Sequence, residues 1–188
     1  YSKYGLDEVL LKQLGYKPKN HKLNLKPWID LQKKIKKIKH KVKIAVVGKY
    51  TNLKDSYKSL NEALVHGGIE NSAEVDIQWI NSEKENNVSL MKKLKGCDGI
   101  LIPGGFGIRG INGKINAIKY ARENNIPFFG ICLGMQLAVI EIAQNVLKIK
   151  NAHSSEFKKT NKSVVGLMTE WVNKNKIEKR DKNSDKGG

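Results

Sequence analysis

Four short apolar runs, each followed by residues at helical spacing, constrain this chain more than any other feature. Ile44-Ala45-Val46-Val47 is closed by Gly48 and leads to a helical segment near Ser56 to His66, which the pair Gly67-Gly68 is expected to stop. Val75 to Ile80 alternates as a strand, and residues 88–95 place Val88, Met91 and Leu94 on one helical face. Ile100-Leu101-Ile102 reads as a buried strand, followed by a glycine loop over 104–110 and a helix near Gly113 to Asn124. Ile126 to Ile131 is the fourth strand run, and a helix from about Gly134 to Leu147 follows it. Such alternation implies an α/β fold, a mostly parallel sheet flanked by helices that takes ligands at the carboxyl ends of its strands. Beyond Lys150 only Val164 to Met168 reads as a strand, and no internal repeat is present.

Residues 1–41 stand apart. They hold twelve Lys against Asp7, Glu8 and Asp30, and so carry +9 of the chain's net +17. Pro18, Asn20 and Pro27 interrupt them, and the run Lys33 to Lys41 sets Ile35, Ile38 and Val42 at the spacing of a solvated helix with one apolar stripe. We read 1–41 as a basic linker or the tail of a preceding domain, and 42–188 as the α/β domain. A basic balance raises the case for an anionic partner. Only Arg109, Arg122 and Arg180 are Arg, however, whereas nucleic-acid surfaces favour Arg with interleaved aromatics, so nucleic acid is not the expected partner.

No stretch approaches the roughly 18 consecutive apolar residues of a membrane span, and the first residues lack a signal peptide's layout, so a cytoplasmic protein is expected. The chain opens on Tyr1 without an initiator Met and stops after a polar run, which reads as a piece of something longer. Cys97 and Cys132 form no disulfide framework, and His21, His40, His66 and His153 show no metal-ligand spacing, so no metal is expected.

The chemistry concentrates at Gly130-Ile131-Cys132-Leu133-Gly134, where a strand ends and a helix begins. The spacing is that of the G-x-S-x-G nucleophile elbow with Cys in place of Ser. A side chain held at such a corner needs small residues two positions either side, because the chain nearly touches itself there. The corner also sets Cys132 at a helix N-terminus, whose dipole and free N–H groups favour thiolate, the form that acyl transfer uses.

One strand earlier lies Pro103-Gly104-Gly105-Phe106-Gly107-Ile108-Arg109-Gly110. Gly105 to Gly110 matches G-x-G-x-x-G, but on the third strand of the series, and the next strand ends in Gly130-Ile131-Cys132 where a ribose-binding acid would stand. A loop that aims N–H groups at a developing oxyanion fits better, each donor being worth roughly 2.7–4 kcal/mol. Leu133 N–H, just after the nucleophile, would be the second donor.

Gly130 to Gln136 with the upstream Pro-Gly-Gly resembles the class I glutamine amidotransferases, which take ammonia from glutamine through a cysteine thioester. The flanks narrow the likeness: Val47-Gly48-Lys49-Tyr50, Asp55 to Leu64, His66-Gly67-Gly68, Gly104 to Gly107 with Arg109-Gly110, Ala121 to Pro127, and Ser154-Ser155-Glu156-Phe157. From about Lys43 to Gly188 the chain is similar to the glutaminase domains of CTP synthases. That resemblance implies a flavodoxin-like amidotransferase fold with Cys132 as nucleophile and Gly105 and Leu133 as oxyanion donors. It implies glutamine contacts from Gly105, Leu133, Gly134, Met135, Gln136 and Glu156, the last meeting the α-amino group. Phe106 and Arg109 are where it implies an activating guanine nucleotide, GTP. No cofactor is implied for this part. ATP and Mg would belong to an amidoligase (synthetase) domain of the same chain, which passes ammonia to UTP activated at its 4-position, in a homo-oligomer.

The family's proton carrier, a His followed two positions later by a Glu in an H-P-E-F segment, has no match here, nor does its later substrate-binding Arg. The C-terminal part of the fold is therefore expected to be missing, and these residues alone to bind glutamine or be alkylated at Cys132 without turnover. Two alternatives stay open: another class I amidotransferase, serving GMP or carbamoyl phosphate synthesis, or a non-catalytic binding module.

Overall fold

The computed structural model describes residues 2–16, 24–49, 54–166, 168, 170–173 and 176–179. The chain divides into two compact units, Tyr1–Ile38 and Lys39–Gly188. The first holds helices α1 (Leu6–Gln13) and α2 (Lys26–Lys36), with Pro27 in the first turn of α2, where its missing N–H costs nothing. Neither helix has a buried residue. The expected stripe of Ile35, Ile38 and Val42 is corrected: α2 ends at Lys36, and Val42 lies in the first strand. A nine-residue ladder draws His40–Gly48 into the sheet, so the strand also begins well before the predicted run Ile44–Val47. Pro18, Asn20 and His21 lie outside the described residues.

The second unit is built on strands β1 (His40–Gly48), β2 (Ala73–Asn81), β3 (Gly99–Ile102) and β4 (Phe128–Gly130). They pair in the order β2-β1-β3-β4, all parallel. The predicted fourth strand is longer than β4, and hydrogen bonds account for its ends: Ile100 N–H donates to Pro127 O and Ile131 N–H to Ile102 O. Parallel strands covered on both faces read as unbroken apolar runs, which is why Val46, Val47, Ile80, Ile100 and Ile102 are all buried. Helices α3 (Lys58–Glu70), α4 (Asn87–Leu94), α5 (Ile111–Glu123) and α6 (Leu133–Glu141) supply the crossovers and flanks. Leu90, Leu94, Ile115, Ile118, Leu137 and Ile140 close the core around the sheet.

Three helical expectations need correction. Gly67-Gly68 does not stop α3, which runs on to Glu70. Gly68 is instead a contact point, since a Cβ there would come within 2.6 Å of Ala73 O and Val75 Cγ2. A 3-10 turn, Lys54–Tyr57, precedes α3 where the helix was expected to begin near Ser56. The helix predicted to reach Leu147 is α-helical only to Glu141 and continues as a π turn over Ile142–Val146. At that junction Glu141 is fully buried, gripped by Arg122 through Nε at 3.1 and 3.2 Å and a terminal nitrogen at 2.8 Å.

After α6 the chain forms β5 (His153–Ser154) parallel to β6 (Ser163–Val165), then the antiparallel hairpin of β7 (Glu170–Asn173) and β8 (Lys176–Lys179). β6 ends at Val165, short of the predicted Met168, and Leu167 lies outside the described residues. No described helix is long and apolar enough to cross a membrane.

Candidate active site

All four parallel strands deliver their carboxyl ends to one edge, in the spatial order Ser82, Lys49, Pro103 and Cys132. The glycine loop that leaves β3 therefore lies between the residues that follow β1 and β4. Cys132 is the N-cap of α6, with φ +49° and ψ −105°. A non-glycine residue there stores roughly 1–3 kcal/mol of strain, which the surrounding packing must hold in place. That packing is built from glycine. A Cβ on Gly130 would meet the Gly134 carbonyl carbon at 2.5 Å and Met135 N at 2.6 Å. A Cβ on Gly134 would run into Ile102 O. The Cys132 side chain is exposed at the corner so formed, whereas Cys97 is buried. Burial pushes the Cys97 thiol up, which keeps it in the inert thiol form.

The glycine loop closes on this corner. Gly104 faces Cys132, its added Cβ reaching Cys132 Cβ at 3.6 Å, and Gly105 faces Leu133, its added Cβ reaching Leu133 Cδ2 at 3.7 Å. Leu133 opens α6, so its N–H is among the first four that find no partner within a helix. Gly134 and Gln136 N–H already donate to Ile131 O and Cys132 O. Met135 is exposed and Gln136 half-buried. Phe106 stands out from the loop, 72% exposed, and Arg109 Nε pairs with Glu83 at 3.1 Å. Glu156 is exposed on the turn after β5, anchored by its own N–H to Ser154 Oγ and by Phe157 packing on the core. Its link to Cys132 rests on the resemblance alone.

Two of the three described histidines lie away from the Cys132 corner. His40 opens β1 at the opposite edge of the sheet, and His66 rides the second half of α3 as it runs away from the carboxyl edge. His153 Nδ1 accepts from Ser154 N–H at 2.9 Å; burial, then Lys158, lowers its pKa and keeps the ring neutral. His21 and Tyr50 lie outside the described residues, and no metal-binding cluster occurs among those described.

Two buried lysines stand beside the loop: Lys49, quoted above only as part of a flanking motif and given no role, and Lys114, which sequence reasoning missed. Lys49 is 7% exposed and donates from Nζ to Phe106 O at 2.6 Å. Lys114, one turn into α5, is 1% exposed, and burial, with Lys49 nearby, lowers its pKa to about 8 despite Glu83. That a lysine just past a strand end, or on a helix beside a glycine loop, is buried carries no sequence signal; only packing reveals it. Unfolded Lys114 keeps its proton where the folded residue has lost it, so the unfolded chain binds more protons and stability rises with pH between about 8 and 10.5. The gain is bounded by roughly 3 kcal/mol. The urea midpoint should climb from pH 7 to pH 9.5 more steeply in the native chain than in Lys114→Met, and parallel curves would refute the assignment.

Comparison with known proteins adds an independent line. The family description "Glutamine amidotransferase class-I" matches residues 52–183. The chain belongs to the class-I glutamine amidotransferases. Within this amidotransferase family it is 50% identical to a CTP synthase of Bartonella henselae over its full length, covering 34% of that protein. A CTP synthase of Nitratidesulfovibrio vulgaris is also 50% identical over 98% of the chain, again 34% of the relative. The amidotransferase chain thus spans about a third of the length of the curated relatives it matches. Among solved structures it is similar to the Trypanosoma brucei CTPS glutaminase domain with bound acivicin, at 47% identity and a TM-score of 0.57, over 62% of this chain and 46% of that one.

Proposed function

We propose that the chain is the glutaminase part of a CTP synthase and that Cys132 is its nucleophile. The observation that carries the reading is the exposed Cys132 at a glycine-built corner with the Gly104-Gly105 loop closed on it. Glutamine would lie over the carboxyl edge, its side chain against Gly134, Met135 and Gln136, with its α-amino group toward the Glu156 carboxylate. The Cys132 sulfur bonds to the carboxamide carbon, and the oxygen, now negative, takes hydrogen bonds from Gly105 and Leu133 N–H. The C–N bond then breaks, the nitrogen leaves as ammonia after gaining a proton, and water cleaves the thioester to glutamate. The proton carrier implied by the resemblance is a His outside the four present here.

Ammonia would serve a synthetase domain that uses ATP and Mg to aminate UTP, with GTP acting near Phe106 and Arg109, in a cytoplasmic homo-oligomer. Identity near 50% to two CTP synthases favours this over GMP or carbamoyl phosphate synthesis. The test is a chloroketone analogue of glutamine, which should label Cys132 and spare Cys97. Ammonia release from glutamine by these 188 residues alone should stay at background. Equal labelling of both cysteines, or labelling that glutamine does not protect against, would remove the basis of the reading.

A further inference from the structure

We infer that Lys49 is a positioning residue for the glycine loop: its buried ammonium, hydrogen-bonded to Phe106 O, holds the Gly105 N–H on the oxyanion. The inference rests on the glutaminase reading and deepens it. Gly104, Gly105 and Gly107 lie within one loop, and Gly107 has φ +76°, so the backbone there has many conformations open to it. An oxyanion site works only if its donors are aimed before charge develops. Contacts from outside the loop must therefore fix it: Glu83 holds its far end through Arg109, and next to Gly105 the Lys49 ammonium holds Phe106 O.

Its anchorage is stiff. Gly48 O accepts from both Ser82 N–H at 2.9 Å and Ser82 Oγ at 3.1 Å, and Lys49 O accepts from Tyr57 OH at 2.6 Å. The Tyr57 ring in turn stacks on Trp79 at 5.1 Å. The end of β1 is thus tied to β2 and to the turn before α3, and the Lys49 side chain crosses from this platform to Phe106 O. An ammonium-to-carbonyl bond is charge-assisted, roughly twice as strong as a neutral one. It fixes the peptide that follows Phe106, one residue beyond Gly105. Lys114, also buried, lies close enough to Lys49 for the Lys49 charge to contribute to the lowering of its pKa.

The experiment measures inactivation of the chain by the glutamine chloroketone. The Cys132 sulfur bonds to the methylene carbon, chloride leaves, the thiol proton passes to solvent, and the ketone oxygen occupies the oxyanion position. Lys49→Met should lower the limiting inactivation rate about tenfold or more, the scale of losing part of one donor. The concentration for half-maximal rate should change little, and so should the rate with iodoacetamide, which needs no oxyanion donor. Lys49→Arg, which keeps the cation, should recover most of the loss. An unchanged limiting rate in Lys49→Met overturns the inference, as does an Arg variant no better than Met. Should the Met variant not fold, Lys49→Gln decides: with at most a neutral hydrogen bond to Phe106 O, its limiting rate should fall several-fold while the iodoacetamide rate is kept, and a limiting rate equal to the native chain's overturns the inference. Failure of the native chain to take the chloroketone selectively at Cys132 sinks the glutaminase reading first, and this inference with it.

Discussion

Gly134→Ala is expected to destabilise the α/β unit by about 3 kcal/mol or more, at the upper end of overpacking costs. The added methyl group would overlap Ile102 O and lie 2.9 Å from Ile102 Cβ and 3.0 Å from its carbonyl carbon. Two of those three atoms belong to the backbone of a central strand, which has no rotamer to change. Helix α6 would have to lift from β3, and Leu133, Leu137 and Ile140 would lose their places in the core. Against a domain stability of about 5–15 kcal/mol that is a large fraction. Gly67→Ala is the control. It also lies within a helix, but nothing stands within 4 Å of its added Cβ, and its backbone is helical. There the methyl group should stabilise by about 0.4–1 kcal/mol through the unfolded chain. Urea denaturation of the two variants should move in opposite directions, and a similar shift in both would refute the close approach at Gly134.

The second large effect concerns chemistry without a change of fold. Cys132→Ser should abolish labelling by the glutamine chloroketone. In a full-length polypeptide carrying this domain it should cut glutamine-dependent amination of UTP by at least about a thousandfold, as loss of a nucleophile does elsewhere. Amination from added ammonium should persist, because that route bypasses the sulfur. The side chain is exposed at the corner, so the unfolding free energy from urea denaturation should stay within about 0.5 kcal/mol of the native value. Retention of glutamine-dependent amination would exclude Cys132 as nucleophile. Parallel loss of the ammonium route would mean that the substitution acts on assembly instead.

Much of this was readable from local pattern. The apolar runs Ile44–Val47 and Ile100–Ile102 could only be strands of a covered sheet, and they are β1 and β3. Gly130 and Gly134 flanking Cys132 announced a corner in which a Cβ has no room, and both positions are closed to one. Readings failed where a residue's partner lies in another element. Gly67-Gly68 carried the mark of a helix stop, but Gly68 is used to approach Ala73 and Val75, and the helix continues past it. Val42 sat at helical spacing from Ile38, yet its pairing with Val75 put it in β1.

The sequence by itself determined the layered α/β order and the Cys132 corner, because periodicity and steric need act over a few neighbouring residues. The tertiary structure alone decided that Lys49 and Lys114, two lysines among 35 Lys and Arg, are buried behind the glycine loop instead of solvated. The physical reason is that desolvation and hydrogen bonding of a long flexible cation depend on which strand ends the fold brings side by side. The strand order β2-β1-β3-β4, which sets the end of β1 against the loop that leaves β3, is a property of the assembled sheet and of no segment within it.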